Sequence, residues 1–381
     1  MGTPEEEDAL PAPLALTRCC VTLKNTYYIC QKKREAPVLW DLYGPEPGLT
    51  LHEAYFGGVL RALEAMQVMQ GQTVYLTDSL DVLPTYGTDV VAVMTGDEWS
   101  CTPRYAPRVR AVFKCYGTTL KLGGNPLRHP TYLNGLAALQ YVRSQTHRLP
   151  YTLAALRHPG AATNIYPVPL GYATQIEQPF KPFRERSTDV FFAGSLSHKV
   201  PSRWSPRRLL RSPKEVSRES MVEALRRFEA THPSYQTSLF LADGFTPHAI
   251  RWGRFDPTKM LSPEIYSAAM MDTKICMVPR GTSLETFRYF EALRFGCITI
   301  TEVLPDFWFY HGAPSISVNR WADLGGVLET LLADEEALEQ RHRASLRWWQ
   351  EVCAEEAVAR YMADALTTSL ASSATTLRPA P

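Results

Sequence analysis

Several features are missing from this sequence of 381 residues, and each absence excludes a class of protein. No apolar run reaches the length of about 18 residues that a transmembrane helix needs. The 40 Lys and Arg stand against 39 Asp and Glu, so the net charge of 40 − 39 = +1 argues against a general nucleic-acid binder. The acidic segment Met1 to Asp8 has no signal-peptide pattern, and Glu6 breaks a myristoylation pattern. We therefore expect a cytoplasmic protein.

Metal and disulfide patterns are missing as well. None of the eight cysteines forms Cys-x-x-Cys, and the nine histidines include no His-x-x-x-His pair. Cys276 and Cys297 lie in apolar runs, which is typical of buried, reduced thiols. The sequence therefore predicts neither a disulfide framework nor a structural metal.

The composition is that of a folded protein, with 45% apolar and 21% charged residues. Short β-rich runs alternate with helical patterns in both halves of the chain. The predicted strands are 73–76, 89–94, 110–114, 189–194, 238–241, 274–278 and 297–301, and the predicted helices are 51–69, 132–143, 221–228, 283–294, 335–349 and 354–371. This alternation predicts an α/β fold class, with two Rossmann-like domains that face a cleft.

A Pro-rich stretch at Ile165–Gly171, followed by Pro179 and Pro182, indicates a linker between the two domains. We predict a disordered tail over 1–15, an N-terminal domain over 16–178, a C-terminal domain over 179–345, helices over 346–369 and a second disordered tail over 370–381.

The most informative segment, residues 274–301, predicts a compact βαβ unit. Pro279 ends the first strand, and Gly296 stops the helix. Thr282 and Glu285 have the spacing of a capping box, so we predict that the helix begins there. Ligands of parallel sheets bind at the carboxyl ends of the strands, which is where this helix would begin.

The predicted helix start is suited to a diphosphate. Its free N–H groups and its dipole favour an anion. Arg280 adds a cation whose geometry matches phosphate oxygens, and Gly281 allows a close approach because it has no Cβ.

Glu291 falls on the apolar side of the same helix. A buried carboxylate is costly unless it accepts hydrogen bonds, and the two hydroxyls of a ribose would supply them. The alternative is an ion pair with Arg288 or Arg294 on the same helix, or a side chain that reaches solvent.

This segment resembles the signature of exostosin-like glycosyltransferases, which have the two-domain GT-B fold. The eleven matching positions, at the family spacing over 23 residues, are Cys276, Pro279, Arg280, Gly281, Arg288, Glu291, Ala292, Leu293, Gly296, Cys297 and Ile298. Looser similarity extends to 96–99, 110–116, 168–171 and 189–195.

The resemblance implies a cytoplasmic, bacterial glycosyltransferase of polysaccharide or natural-product biosynthesis. It would move a sugar from a nucleotide-diphosphate donor, with a UDP-sugar favoured, to a hydroxyl of a glycan, lipid-linked glycan or small molecule, most often with inversion. The domain over 16–178 would then be the acceptor side, and the domain over 179–345 would bind the nucleotide-sugar. The C-terminal helices over 346–369 would cross back to the N-terminal domain. The implied donor-binding residues are Gly194, Ser195, His198, Arg218, Arg280, Gly281, Thr282, Ser283, Arg288 and Glu291.

Metal dependence is not expected. An Asp-x-Asp motif would hold a metal–diphosphate, but the nearest approach to it is Asp78 and Asp81. Cationic side chains and the helix dipole would then neutralise the leaving diphosphate, so we expect no cofactor and no metal.

The catalytic base is expected in the N-terminal domain. Asp97 and Glu98 follow a predicted strand at its carboxyl end, where one of them could reach the cleft. Alternatively, both cap the following turn or pair with Arg104, Arg108 or Arg110.

Two other functions stay open. One is a degenerate GT-B protein that binds a nucleotide and has no transferase activity. The other is a fucosyltransferase-like enzyme that uses a GDP-sugar.

Overall fold

A computed structural model describes residues 24–34, 36–119, 122–124, 126–158, 163–173, 176–196, 211–242 and 261–376. The chain forms two α/β units, each built on a mostly parallel sheet. The fold-class prediction of two Rossmann-like units that face a cleft is confirmed. Among the helices in these ranges, none is long and apolar enough to cross a bilayer. The predicted tail over 1–15 lies outside the described residues.

The first unit has a six-stranded sheet in the order β2-β1-β3-β4-β5-β6. Its strands are β1 Thr26–Cys30, β2 Val38–Leu39, β3 Thr73–Thr77, β4 Gly87–Met94, β5 Val109–Lys114 and β6 Ile165–Pro167. All neighbours are parallel except β2, which is antiparallel to β1. Two helices belong to this unit, α1 Glu53–Ala65 and α2 Tyr132–Leu156.

The second unit has a parallel sheet in the order β11-β10-β9-β7-β8. Its strands are β7 Thr188–Ser195, β8 Thr237–Ala242, β9 Thr273–Val278, β10 Ile298–Thr301 and β11 Ile316–Ser317. The described helices are α3 Pro213–Thr231, α4 Pro263–Met271, α5 Phe287–Arg294, α6 Leu324–Leu332 and α7 Glu335–Trp348, followed by a π-helical turn over Trp349–Cys353.

The final helix, α8 Glu355–Thr376, packs against α1 and β5 of the first unit. Tyr55 in α1 donates a hydrogen bond to the carbonyl of Cys353 at 2.6 Å, and Arg110 in β5 donates one to the carbonyl of Leu366 at 3.2 Å. Residues 370–376 of the predicted C-terminal tail are helical, and residues 377–381 lie outside the described ranges.

The two units share one apolar core. Val93 and Phe113 of the first sheet belong to the same buried cluster as Phe290 and Phe309 of the second unit. Burial of large apolar side chains contributes about 1.5–3 kcal/mol each, so this shared core stabilises the contact between the units. The carboxyl ends of β4 and β5 are thereby held opposite those of β7 and β9.

Candidate functional site

A cavity lies between the two units at the carboxyl ends of their strands. It encloses about 460 Å³ of non-protein space, part of which is open to solvent. The first unit contributes residues from the loops after β4 and β5 and from α2, and the second contributes the loop after β9 and residues near Phe307. The lining residues are Glu98, Trp99, Ser100, Tyr116, Thr119, Ala137, Gln140, Tyr141, Arg280, Thr282, Ser283, Leu284, Glu285, Pro305 and Phe307.

The chain after β5 turns sharply beside this cavity. Tyr116 and Gly117 both have positive φ, 62° and 54°. A Cβ on Gly117 would lie 2.6 Å from the Phe307 ring of the opposite unit, so glycine is required for this close approach. Gln140 of α2 also crosses the gap and donates to the carbonyl of Thr282 at 3.4 Å.

Asp97, one of the two predicted bases, is held in a buried ion pair. Its Oδ2 lies 3.1 Å from Lys114 Nζ, at the end of β5. The same carboxylate accepts hydrogen bonds from the backbone N–H groups of Trp99 and Cys101, at 3.1 and 2.5 Å. These contacts occupy the carboxylate and give Asp97 a role in shaping the loop. The ion pair is with Lys114 and not with any of the three arginines considered from the sequence.

Glu98, the other predicted base, lines the cavity. Burial raises its pKa, whereas a hydrogen bond with the Thr282 side chain and the positive charges of Lys214 and Arg218 lower it. Glu98 therefore faces residues of the second unit across the cavity.

A group of cations lies at the carboxyl ends of β7 and β9. Arg218 in α3 donates to the carbonyls of Ser195 at 2.6 Å and of Arg280 at 3.2 Å, which ties the two strand ends together. Burial, followed by the charge of Arg288, lowers the pKa of Arg218 to about 9. Burial, followed by the charge of Arg218, lowers the pKa of Lys214 to about 8. Lys214 and Arg218 are each 7% exposed, so these cations are largely withdrawn from water.

Three buried polar atoms in this group have no hydrogen-bond partner within the described ranges. They are Arg280 Nε, Arg288 Nε and Ser195 Oγ. Arg280 lines the cavity and is only 6% exposed, and burial lowers the pKa of its guanidinium. Buried polar groups are normally paired, so these atoms indicate a place for a polar ligand.

Gly194 lies next to Arg288, which donates to the carbonyl of Ala193. A Cβ at Gly194 would lie 2.6 Å from the Arg288 guanidinium, and this guanidinium also stacks 4.8 Å from the centre of the Phe192 ring. The glycine therefore lets the arginine lie against the end of β7.

The predicted capping box at Thr282 and Glu285 is wrong. Helix α5 begins at Phe287, after Thr286, and no side chain caps it. The Ser283 hydroxyl instead accepts from the Glu285 N–H at 3.4 Å, and the Glu285 side chain is buried. Residues 280–285 form a loop whose Thr282 and Ser283 line the cavity, with Gly281 between Arg280 and Thr282.

Glu285 is a site residue that the sequence did not predict. It lines the cavity, is 3% exposed, and its Oε2 has no partner among the described residues. Burial raises the pKa of Glu285 to about 8. The charge of Lys114 and a hydrogen bond with the Tyr310 side chain act in the opposite direction and lower it. At neutral pH this carboxyl is mostly protonated, so it can donate a hydrogen bond.

Lys214 was also missed, although the sequence carries a signal for it. Ser212 and Glu215 form a capping box around Pro213, and this pattern predicts a helix whose first turn contains Lys214.

Glu291 is buried in α5, with 4% exposure. Its Oε1 accepts from the N–H of Ala173 in the linker at 3.1 Å, and its Oε2 accepts from the Tyr266 hydroxyl in α4 at 2.8 Å. On the same helix, Arg288 donates to the Ala193 carbonyl, and Arg294 pairs with Glu177 at 2.5 Å.

His198 lies outside the described residues. Within the part of the chain that the structure describes, no three His, Cys, Asp or Glu side chains are grouped as metal ligands would be.

No protein-family model matches the chain, and no curated protein matches its sequence. Solved structures that match include a chain of the GtfA/B complex, with 11% identity, a TM-score of 0.39, and coverage of 82% of this chain and 60% of that one. Another is UDP-GlcNAc 2-epimerase from Neisseria meningitidis bound to UDP-GlcNAc, with 10% identity, a TM-score of 0.33, and coverage of 86% and 85%. A third is Anabaena Alr3699/HepE in complex with UDP and glucose, with 10% identity, a TM-score of 0.37, and coverage of 85% and 84%. The chain thus spans less than two thirds of the GtfA/B chain.

Proposed function

We propose that this protein is a glycosyltransferase that moves a sugar from a nucleoside-diphosphate donor to an acceptor hydroxyl. The observation that carries the proposal is the set of buried, unpaired donor atoms on Arg280, Arg288 and Ser195 beside the cations Lys214 and Arg218. Buried cations are costly without enough counter-charge, and Glu98, Glu215 and Glu302 supply only part of it for this group. A diphosphate supplies that charge and enough oxygens to accept from several donors at once. A UDP-sugar is the favoured donor.

The cations would also drive the departure of the leaving group. As the bond between the anomeric carbon and the diphosphate oxygen breaks, negative charge develops on the diphosphate. Fixed cations in a partly desolvated site stabilise that charge without needing to reorganise. This role requires no metal ion, so we propose transfer that is independent of Mg²⁺ and Mn²⁺.

Glu98 is the proposed base. It lies on the acceptor side of the cavity, next to Thr282 of the donor side. It would take the proton of the acceptor hydroxyl while the hydroxyl oxygen attacks the anomeric carbon from the face opposite the diphosphate, which inverts the configuration. Glu285, mostly protonated at neutral pH, would donate a hydrogen bond to a sugar hydroxyl.

Thermal unfolding with UDP, GDP or CMP in the presence of EDTA tests this function. We expect one nucleotide to stabilise the protein, and Arg280→Ala and Glu291→Ala to lose that stabilisation. Turnover of the matching nucleotide-sugar follows, with Glu98→Gln expected to bind the nucleotide and to lose turnover. If no nucleotide stabilises the protein, the proposal fails. Stabilisation without turnover by the wild type would identify a nucleotide-binding protein that is not a transferase.

A further inference from the structure

Helix α2 exposes a stripe of large aliphatic side chains. Its members are Leu139, Val142, Leu149, Leu153 and Leu156, which are 52, 65, 55, 47 and 71% exposed. Their spacing of three, seven, four and three residues places them on one face of the helix. A stripe of exposed large aliphatic side chains of this kind indicates an interaction site in a folded protein.

The chain segment that contains this aliphatic stripe is basic in sequence. Residues 99–176 contain nine Lys and Arg and no Asp or Glu, so the segment has a formal charge of 9 − 0 = +9 in a chain whose net charge is +1. Arg143 on α2 and Arg157, directly after the last residue of α2, are exposed next to the stripe, whereas Lys114 and Arg104 in the same segment pair with Asp97 and Asp81. The partner of the stripe should therefore be apolar and negatively charged.

An anionic lipid surface has both properties. A helix that lies in the membrane interface buries its apolar face among the acyl chains and places its basic residues at the lipid headgroups. A second copy of this chain fits less well, because α2 contains arginines but no Asp or Glu that could pair with the arginines of the same helix in the other copy. Helix α2 itself does not qualify as a membrane-spanning helix.

The opposite side of α2 faces the candidate site. Ala137, Gln140 and Tyr141 line the cavity, and Gln140 hydrogen-bonds the carbonyl of Thr282. A helix with its side chains is about 10 Å across, so the lipid surface and the cavity would be separated by roughly one helix diameter. An acceptor hydroxyl carried on a lipid headgroup could reach the cavity over that distance.

We propose that the aliphatic stripe of α2 docks the protein on an anionic membrane surface, so that the acceptor is a hydroxyl on a lipid-linked molecule. The choice of acceptor rests on the proposed function, whereas the docking itself does not.

Flotation with vesicles tests the docking. The wild-type chain is mixed with phosphatidylcholine vesicles that either contain or lack phosphatidylglycerol. We expect binding to the phosphatidylglycerol vesicles only, and weaker binding at high salt. The double variant Leu149→Glu/Leu153→Glu should lose about tenfold or more in vesicle affinity, because each leucine loses apolar burial. Ile265→Glu, at a residue 57% exposed on α4 of the other unit, is the matched control and should bind like the wild type.

Failure of the wild type to float, or equal binding by the double variant, would overturn the docking. So would a dimer in light scattering that the double variant converts to a monomer without any vesicle binding, because the stripe would then contact a second copy. Thermal unfolding of the double variant with the nucleotide distinguishes membrane docking from donor binding. If the double variant no longer binds vesicles but is still stabilised by the nucleotide, docking and donor binding are separate properties of the fold.

Discussion

Lys114 Nζ lies 3.1 Å from Asp97 Oδ2, and these side chains are 0 and 3% exposed. The pair joins the end of β5 to the loop after β4, directly beside Glu98. It therefore holds in place the part of the first unit that lines the cavity. Of the two adjacent carboxylates, Asp97 is therefore a structural residue, whereas Glu98 faces the cavity.

Asp97→Asn should destabilise the fold, because it leaves the Lys114 ammonium buried without its counter-charge. Breaking a buried pair typically costs about 3–5 kcal/mol, which urea unfolding would measure. Glu98→Gln should change the free energy of unfolding by less than about 1 kcal/mol and should abolish turnover. A fully stable but inactive Asp97→Asn protein would instead assign the base to Asp97.

Glu285 should make stability depend on pH. Its pKa of about 8 in the folded protein lies above the unfolded value of 4.5, so the native state holds a proton that the unfolded state has lost between these pH values. Because of Glu285, the free energy of unfolding therefore falls as pH rises from about 4.5 to 8. The fall is at most about 1.4 kcal/mol per pH unit. Glu285→Gln should raise the Tm relative to the wild type at pH 8 and leave it similar at pH 4. An equal shift at both pH values would contradict this account.

Arg280→Ala should weaken nucleoside-diphosphate binding by about 10- to 100-fold, because hydrogen bonds to charged groups contribute about 1.5–3 kcal/mol. Calorimetric titration would measure the loss. Arg320→Ala is the matched control, since Arg320 is exposed, pairs with Asp323 at 2.7 Å and is not among the residues that line the cavity. Equal loss in both variants would point to an unspecific charge effect.

Glu291 should recognise the ribose of the nucleotide. The wild type is expected to bind UDP more tightly than 2′-deoxy-UDP, and Glu291→Gln should abolish that preference. Tyr266→Phe removes the hydroxyl that donates to Glu291 Oε2, and this variant should keep the preference for UDP. If Glu291→Gln still discriminates between the two nucleotides, Glu291 serves only to bind the linker and α4.

The strands at the site were predictable because their sequences strongly favour a buried β-strand over a helix or a loop. Thr273–Val278 and Gly87–Met94 contain β-branched, apolar runs that fit a buried parallel sheet, and both form within two residues of the prediction. The Asp97–Lys114 pair was not predictable, because it depends on β4 and β5 lying side by side. The start of α5 was missed because the local capping pattern at Thr282 and Glu285 was overridden by burial of Glu285 against the first unit.

The length of α2 was underestimated for a related reason. The prediction ended at Arg143, whereas the helix continues through Pro150 to Leu156. Proline normally ends or kinks a helix, so a sequence pattern gives little reason to continue past it.

Calorimetric titration with UDP and with uridine, both in EDTA, tests most directly whether the buried cations hold a diphosphate. The account predicts that UDP binds at least about 100-fold more tightly than uridine, since two or more charged hydrogen bonds are gained. It also predicts that the difference shrinks in Arg280→Ala. Equal affinity for UDP and uridine, or UDP binding only when a divalent cation is added, would contradict it.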